Sequence, residues 1–274
     1  MSDYNRNIGA APFGQTMSHV RPVAVDEGLR AYMLRVYNYM ALGLAITGLA
    51  ALGLYMLSIT GEMAAAAKIM RNGTEIPARI AGNMFVTPLG YYVFISPFKW
   101  VIMLAPLAVV FALSFGIERM RPAAAQVAFW IFAALLGFAL SSIFLVFTHT
   151  SIVRVFFIAA AAFGAISLWG YTTQRDLTGM GSFLLMGLFG LILAILVNLF
   201  MASSALQFAI SVIGVLVFSG LTAWDTQRLK SEYLYSAMQG ETAERSAIVG
   251  ALSLYLNFIN LFTLLLQLLG QRED

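Results

Sequence analysis

The chain has 274 residues, of which 60% are hydrophobic and only 11% are charged, and its mean hydropathy is +0.83. Soluble domains carry about 25% charged residues, so this composition excludes a soluble enzyme and a nucleic-acid-binding protein. The net charge of +3 is small, and its few charges are typical of topology markers at helix ends. The chain has no cysteine and two histidines, which excludes disulfides, thiolate metal sites and histidine-rich metal sites.

Long runs without charge indicate membrane-spanning helices, because about 20 apolar residues cross a hydrocarbon core roughly 30 Å thick. The run at 177–224 is long enough for two crossings, with a small and polar turn at 201–205. The sequence predicts an all-α integral membrane protein with a flexible N-terminal tail at 1–30 and a seven-helix transmembrane domain at 31–274. The predicted spans are residues 36–60, 100–117, 123–147, 155–174, 181–200, 206–227 and 246–270.

The distribution of basic residues predicts an orientation. Ten of the 16 Lys and Arg residues fall in segments on one side of the membrane if the N-terminus is cytoplasmic. Because Lys and Arg accumulate in cytoplasmic loops, we expect the N-terminus inside and the C-terminus outside. The longest loop, 61–99, is expected to cap the outer face and to contain a short Ala-rich helix near 62–70.

Polar and small residues of the seventh span recur every three or four positions, which places them on one face of a helix. Two interpretations stay open: a helix packed in the bundle through small residues and amides, or a helix that lines a polar pathway. We call these residues the polar stripe: Ser246, Gly250, Ser253, Asn257, Asn260, Thr263 and Gln267. In the second interpretation, Ser253, Asn260, Thr263 and Gln267 line the pathway.

Asp225 is the one acidic residue between Asp176 and Glu232, and it falls within the sixth span. A carboxylate at membrane depth is costly and usually faces the bundle interior or water. In one interpretation it is an interfacial Asp paired with Arg228, three residues further on. In the other it is an ion ligand or a proton-sensitive gate, with Arg228 and Arg119 as possible charge partners.

Enzyme motifs are missing from the spans. Asp225 has no intramembrane acidic partner with which an aspartyl protease would share a proton. There is no His-Glu-x-x-His motif and no phosphate-binding loop. We therefore expect no enzymatic activity, no catalytic residues and no resident cofactor.

Five segments between residues 30 and 270 resemble the bacterial branch of the Bax inhibitor-1 family, also called the transmembrane Bax inhibitor motif or YccA-like family. The last two are the most specific. The segments are SPFKWVIMLAP (96–106), LSSIFL (140–145), YTTQRDLTGMG (171–181), TAWDTQRL (222–229) and LYLNFINLF (254–262).

The resemblance implies seven helices in a bacterial inner membrane, with the seventh helix central and wrapped by the other six. Some members behave as pH-sensitive calcium leak channels whose sensor is a pair of hydrogen-bonded aspartates in helices six and seven. The first position matches Asp225, and the second is occupied here by Asn257. Asn removes one charge and one titrating group, which weakens the case for a two-carboxylate calcium site.

Two functions follow from this resemblance. The first is a cation leak channel, with calcium as the leading ion, Asp225 as gate, sensor or transient Ca²⁺ ligand, and Asn257 beside it. The second is a regulatory partner of membrane proteins, such as a modulator of a membrane-bound ATP-dependent protease, acting through the tail and exposed helix faces. The bilayer is the expected surrounding in both, and no nucleic acid is expected as a partner.

Overall fold

The computed structural model describes residues 20–71, 74–81, 84–116, 120–236 and 240–273. Nearly all of them are helical. The elements in chain order are α1 (Val20–Ser58), β1 (Ile59–Thr60), β2 (Lys68–Arg71), β3 (Thr74–Pro77), β4 (Arg79–Ala81), β5 (Met84–Val86), α2 (Pro88–Gly90), α3 (Lys99–Gly116), α4 (Pro122–Leu140), α5 (Ile143–Val146), α6 (His149–Thr172), α7 (Thr178–Met201), α8 (Ser204–Ser236) and α9 (Gly240–Leu269).

Six helices within the described residues are long and apolar enough to cross a membrane, and a bent pair, Pro88–Ile95 with Lys99–Leu113, makes the seventh. The pair bends by 66°. Ser96 at the break has extended backbone angles because it precedes Pro97, whose ring disfavours helical geometry at the residue before it. The predicted all-α membrane fold is therefore confirmed, with six helices able to span a membrane and a seventh span if the bent pair crosses as one.

The last helix, α9, is the centre of the bundle. In the most apolar 18-residue stretch of α9, 67% of the residues are buried. The same fraction is 11–39% in the other five long membrane-spanning helices. Tyr255 of α9 is fully buried and packs edge-on against Phe129 and Phe132 of α4. Its hydroxyl lies 2.6 Å from the Thr47 hydroxyl of α1. The central helix α9 thus packs against α1, α4, α6 and α8, while α3 packs on α4 and α7 packs on α8.

The first helix begins at Val20, so residues 20–30, expected in the tail, are helical. Near its N-terminal end, α1 packs against α8 and α9. Tyr32 stacks on Tyr233 of α8 with ring centroids 4.9 Å apart and hydrogen-bonds to Ser246 of α9 at 3.0 Å. Residues 1–19 of the predicted tail, and the predicted charge partner Arg119, lie outside the described residues.

The loop after α1 forms small sheets, and the expected Ala-rich helix near 62–70 is wrong. One 3₁₀ turn covers Met63–Ala65, after which β2 pairs with β3 and the order β1-β5-β4 makes a second sheet. An isolated helix of nine residues is too short to be stable in water. Strand pairing satisfies the backbone instead, and it buries Ala67, Ala78 and Val86 in a small core of their own.

The helix bundle has two ends. The Asp225 side is the end at which α1 and α9 begin and α6 and α8 finish. The Gln267 side is the opposite end, at which α1, α7 and α9 finish.

Candidate functional site

Asp225 lies at the contact between α8 and α9, the two helices that pack together most extensively. It is only 4% exposed. The polar stripe of α9 meets it there, because side chains three or four residues apart project from the same helical face. As predicted, Asp225 faces the interior of the bundle and contacts Asn257.

Three side chains bind the Asp225 carboxylate. The Ser253 hydroxyl donates to Oδ2 at 2.8 Å, and the Asn257 amide Nδ2 donates to the same oxygen at 2.7 Å. The Arg228 guanidinium lies 2.8 Å from Oδ1, one helical turn further along α8. Both carboxylate oxygens are therefore engaged, and one positive charge offsets the negative charge of Asp225.

Arg228 is held between the carboxylate and an aromatic ring. Its side chain is 42% exposed, and its guanidinium lies 5.0 Å from the centroid of the Trp224 ring. Trp224 in turn packs directly on Gly181 of α7, where any Cβ would overlap the indole ring. The small residue in α7 thus allows the aromatic support for Arg228 to approach closely.

The loop between α6 and α7 is fixed to α8 beside this site. The Gln227 amide nitrogen donates to the Arg175 carbonyl oxygen at 2.7 Å, and the Leu177 backbone amide donates to Gln227 Oε1 at 2.8 Å. At the start of α7, hydrogen bonds from Thr178 lower the pKa of the exposed Asp176 carboxyl below its ordinary value. Gln227, the residue before Arg228 on α8, is therefore tied to the loop that leads into α7.

A cavity of about 580 Å³ extends from Asp225 between α7, α8 and α9. Its α7 wall is apolar, with residues such as Leu188, Leu191 and Ile195. Its α9 wall contains five residues of the polar stripe: Ser253, Asn257, Asn260, Thr263 and Gln267. Asn257 and Gln267 are about 15 Å apart along the helix axis, so the cavity reaches well toward the Gln267 side.

The stripe divides into two parts with different neighbours. Ser246 bonds to Tyr32, and Gly250 packs against Leu229 of α8, so these two residues pack helices together. The five residues from Ser253 to Gln267 line the cavity. One part of the stripe therefore packs helices together, and the other part lines the cavity.

Two cavity-lining side chains use their donors on their own helix. Asn260 Nδ2 donates to the Leu256 carbonyl oxygen at 2.8 Å, and the Thr263 hydroxyl donates to the Ile259 carbonyl oxygen at 2.9 Å. The Asn260 amide oxygen and the Thr263 hydroxyl oxygen keep acceptor capacity. Oxygen acceptors of this kind suit hydrated or partly hydrated cations.

At the far end of the cavity, Gln267 of the predicted stripe bonds to two residues of α8, Gln207 and Ser211, that the sequence did not single out. Gln207 of α8 donates to Gln267 Oε1 at 2.6 Å, and Ser211 donates to the same oxygen at 3.0 Å. Asn198 of α7 donates to Gln207 Oε1 at 3.0 Å. Gln207 and Ser211 are four residues apart at the start of the sixth span, and that spacing was the signal available in the sequence.

The donor set at Asp225 does not form a ready metal site. No group of three or more His, Asp or Glu side chains that could hold a metal ion exists among the described residues. Ca²⁺ takes six to eight oxygen ligands, and here a single carboxylate is already bound by Arg228. A cation could reach Asp225 only by displacing the guanidinium.

Comparison with known proteins identifies the family to which the chain belongs. Residues 29–274 match the family described as "Inhibitor of apoptosis-promoting Bax1". The chain is 44% identical to an uncharacterized protein of Rickettsia prowazekii over the full length of both chains. It is 38% identical to the inner membrane protein YbhL of Escherichia coli, over 95% of this chain and 99% of the relative. The chain is therefore a membrane protein of the Bax inhibitor-1 family.

Proposed function

We propose that this protein is a non-catalytic cation leak pathway, with calcium as the first ion to test, and that Asp225 and Arg228 close it. The observation that carries the proposal is the buried carboxylate of Asp225 at one end of a cavity lined by polar side chains. Helix packing alone does not require a 580 Å³ cavity beside a charged group. In addition, a carboxylate at membrane depth usually marks an ion or proton pathway.

In the closed arrangement, Arg228 covers the one carboxylate that could attract a cation. Its bond to Oδ1 and its position over Trp224 hold a positive charge at the Asp225 end of the cavity. There the guanidinium neutralises the carboxylate that would otherwise attract a cation. The ion pair therefore acts as the gate.

Protonation of Asp225 would remove the attraction for Arg228. The guanidinium is half exposed and can turn toward water, whereas Ser253 and Asn257 can still bond to a neutral carboxyl group. Arg228 is the charged side chain in direct contact with Asp225 among the described residues. Acidification is thus expected to open the pathway, and cations would then pass along the neutral oxygens of Asn260, Thr263 and Gln267.

The surroundings of the pathway are part of the proposal. One relative is the inner membrane protein YbhL of Escherichia coli, and we place this chain in a bacterial inner membrane too. With the N-terminus cytoplasmic, the Asp225 side faces the cytoplasm, which is the orientation that the basic residues favour.

Ion flux into proteoliposomes tests the proposal. Asp225→Asn removes the negative charge at nearly unchanged shape, so Arg228 loses its partner in the same way as on protonation. We expect calcium flux through the wild type to rise on acidification, and flux through Asp225→Asn to be high at every pH. Sodium and potassium flux, measured in parallel, establish the selectivity.

The matched control is Asp176→Asn, which removes an exposed carboxylate from the neighbouring loop, away from the cavity. It should behave like the wild type. Equal flux in wild type, Asp225→Asn and protein-free liposomes would overturn the leak function. The regulatory role toward a membrane protease would then be the remaining candidate.

A further inference from the structure

A second and larger groove, separate from the polar cavity, lies between α1 and α6. Its volume is about 870 Å³, within the range of about 300–1,000 Å³ that small-molecule sites occupy. Its walls are apolar, with Met33 and Phe156 on opposite sides and Phe258 of α9 between them. Leu34 and Leu168 on its two edges are 52% and 63% exposed, so the groove opens toward the lipid.

One hydrogen bond joins the two helices across this groove. The Tyr37 hydroxyl lies 2.7 Å from the Ser167 hydroxyl, which in turn lies 2.9 Å from the Thr226 hydroxyl of α8. These polar groups are satisfied by each other. Apart from these hydroxyls and from Glu27, Arg30 and Tyr171, the lining is apolar, which suits a hydrocarbon chain.

The groove ends at a pair of opposite charges on the Asp225 side. Glu27 and Arg30 both line it, and both are exposed. They are three residues apart on α1 and so project from the same face, yet no ion pair joins them to each other or to another described side chain. The neighbouring Lys230 is already engaged, because it donates to the Tyr171 carbonyl oxygen at 2.9 Å.

The groove is long enough for one lipid chain. From Glu27 to Leu44 the α1 wall rises about 25 Å, and half of the hydrocarbon core is about 15 Å thick. A lipid whose headgroup lies beside Glu27 and Arg30 could therefore keep a whole acyl chain inside the groove.

We propose that this groove binds one phospholipid with a zwitterionic phosphoethanolamine headgroup. Its phosphate lies beside Arg30, its ammonium beside Glu27, and one acyl chain runs between α1 and α6 toward Leu44. An anionic headgroup would satisfy Arg30 but would place a second negative charge near Glu27. A transmembrane helix would have to bring its own matched pair of charges to the same end, whereas the bilayer supplies this lipid directly.

The chain offers a position in the groove at which an added side chain begins in open space. A Cβ at Gly164, which lines the groove on α6, would meet nothing within 4 Å. Gly190 on α7 has the same open surroundings but does not line the groove. Gly164→Trp and Gly190→Trp are therefore a matched pair, in which only the first occupies the space of the proposed acyl chain.

Photo-crosslinking of the full chain in nanodiscs tests the lipid site. The probes are phosphatidylethanolamine and phosphatidylglycerol that carry the same photoreactive acyl chain. In the wild type, we expect the ethanolamine probe to label α1 and α6 along the groove about threefold more than the glycerol probe, the effect of one exposed ion pair. Glu27→Gln should bring the two probes close to equal, and Arg30→Gln should reduce labelling by both.

Gly164→Trp is expected to lower labelling in the groove, while Gly190→Trp keeps the wild-type level. Equal or stronger labelling of the wild type by the glycerol probe would overturn the assignment of the headgroup. Unchanged labelling in Gly164→Trp, or crosslinking of groove residues to another polypeptide instead of lipid, would overturn the site itself. None of these outcomes depends on whether the protein conducts ions.

Discussion

The carboxylate of Asp225 depends on contacts from two helices. Arg228 and Asp225 both lie on α8, while Ser253 and Asn257 reach the carboxylate from α9. A buried charge that loses one of its partners keeps its full desolvation cost. The site therefore links the stability of the α8–α9 contact to the charge state of a single residue.

Replacing Arg228 tests that link. We expect Arg228→Gln to lower the free energy of unfolding by about 1–3 kcal/mol, since the buried carboxylate would keep only neutral partners. Arg228→Lys keeps the positive charge but loses the planar guanidinium over Trp224, so it should fall between Arg228→Gln and the wild type. Chemical unfolding in mild detergent measures the difference; equal stability of all three proteins would contradict it.

Asn257→Asp would create a pair of neighbouring carboxylates, because Asn257 Nδ2 lies 2.7 Å from Asp225 Oδ2. Two carboxylates in contact lose their protons in two coupled steps, and a second anionic ligand strengthens calcium binding. We expect tighter calcium binding and a second step in the pH dependence of flux.

Asn260→Asp is the control for that change. It adds the same charge to the same cavity wall one helical turn away, and Asn260 bonds to the Leu256 carbonyl oxygen instead of to Asp225. It should give no coupled second step. If Asn257→Asp and the wild type had the same pH dependence, position 257 would not act together with Asp225.

At the scale of helices, glycines decide how closely the spans around the site approach. A Cβ at Gly170 of α6 would overlap the backbone of Ala223 in α8, two residues before Asp225. We expect Gly170→Ala to lower stability by about 1–3 kcal/mol, the usual cost of overpacking. Thermal unfolding in detergent measures it.

Gly190→Ala is the comparison for Gly170→Ala. Its new Cβ would meet nothing within 4 Å, and alanine is favoured over glycine inside a helix by about 1 kcal/mol. Gly190→Ala should therefore leave stability unchanged or raise it. A loss of similar size in both variants would show that overlap with Ala223 is not the cause.

The helices were more predictable than the contacts between them. Runs of apolar residues predicted all seven spans, and the three-four spacing of α9 predicted the face that meets Asp225. The same spacing could not separate Ser246 and Gly250, which pack against α1 and α8, from the residues that line the cavity. That division depends on which helix lies opposite each turn of α9.

The elements that differ from expectation are those that tertiary contacts decide. Residues 20–27 include three charged residues and a proline, but α1 continues through them. Further along α1, Tyr32 packs on Tyr233 of α8. The alanines near 62–70 favour a helix locally, but pairing of β2 with β3 competes successfully. The Gln207–Gln267 contact joins residues 60 positions apart, which spacing within one helix does not reveal.

For the whole molecule, the basic residues predict an orientation with the N-terminus cytoplasmic and the C-terminus outside. Alkaline phosphatase fused to the C-terminus should be active in a bacterial host, and the same enzyme fused to the N-terminus should be inactive. A green fluorescent protein fusion should give the reverse pattern. An active phosphatase at the N-terminus would contradict the orientation and would place the Asp225 side outside the cell.

The central claim is that cations pass through the cavity between α7, α8 and α9. Because the chain has no cysteine, one introduced thiol can be modified selectively. The Asn260→Cys change places it on the cavity wall, and Leu216→Cys places it on the lipid-facing side of α8, where the side chain is 68% exposed. Each change is combined with Asp225→Asn, so that the pathway is open.

The deciding measurement is calcium flux into proteoliposomes before and after reaction with a bulky cationic methanethiosulfonate reagent. If the cavity is the pathway, modification at position 260 reduces flux to the level of protein-free liposomes, while modification at position 216 leaves it unchanged. Unchanged flux after complete modification at position 260, with flux still dependent on the protein, would contradict this route.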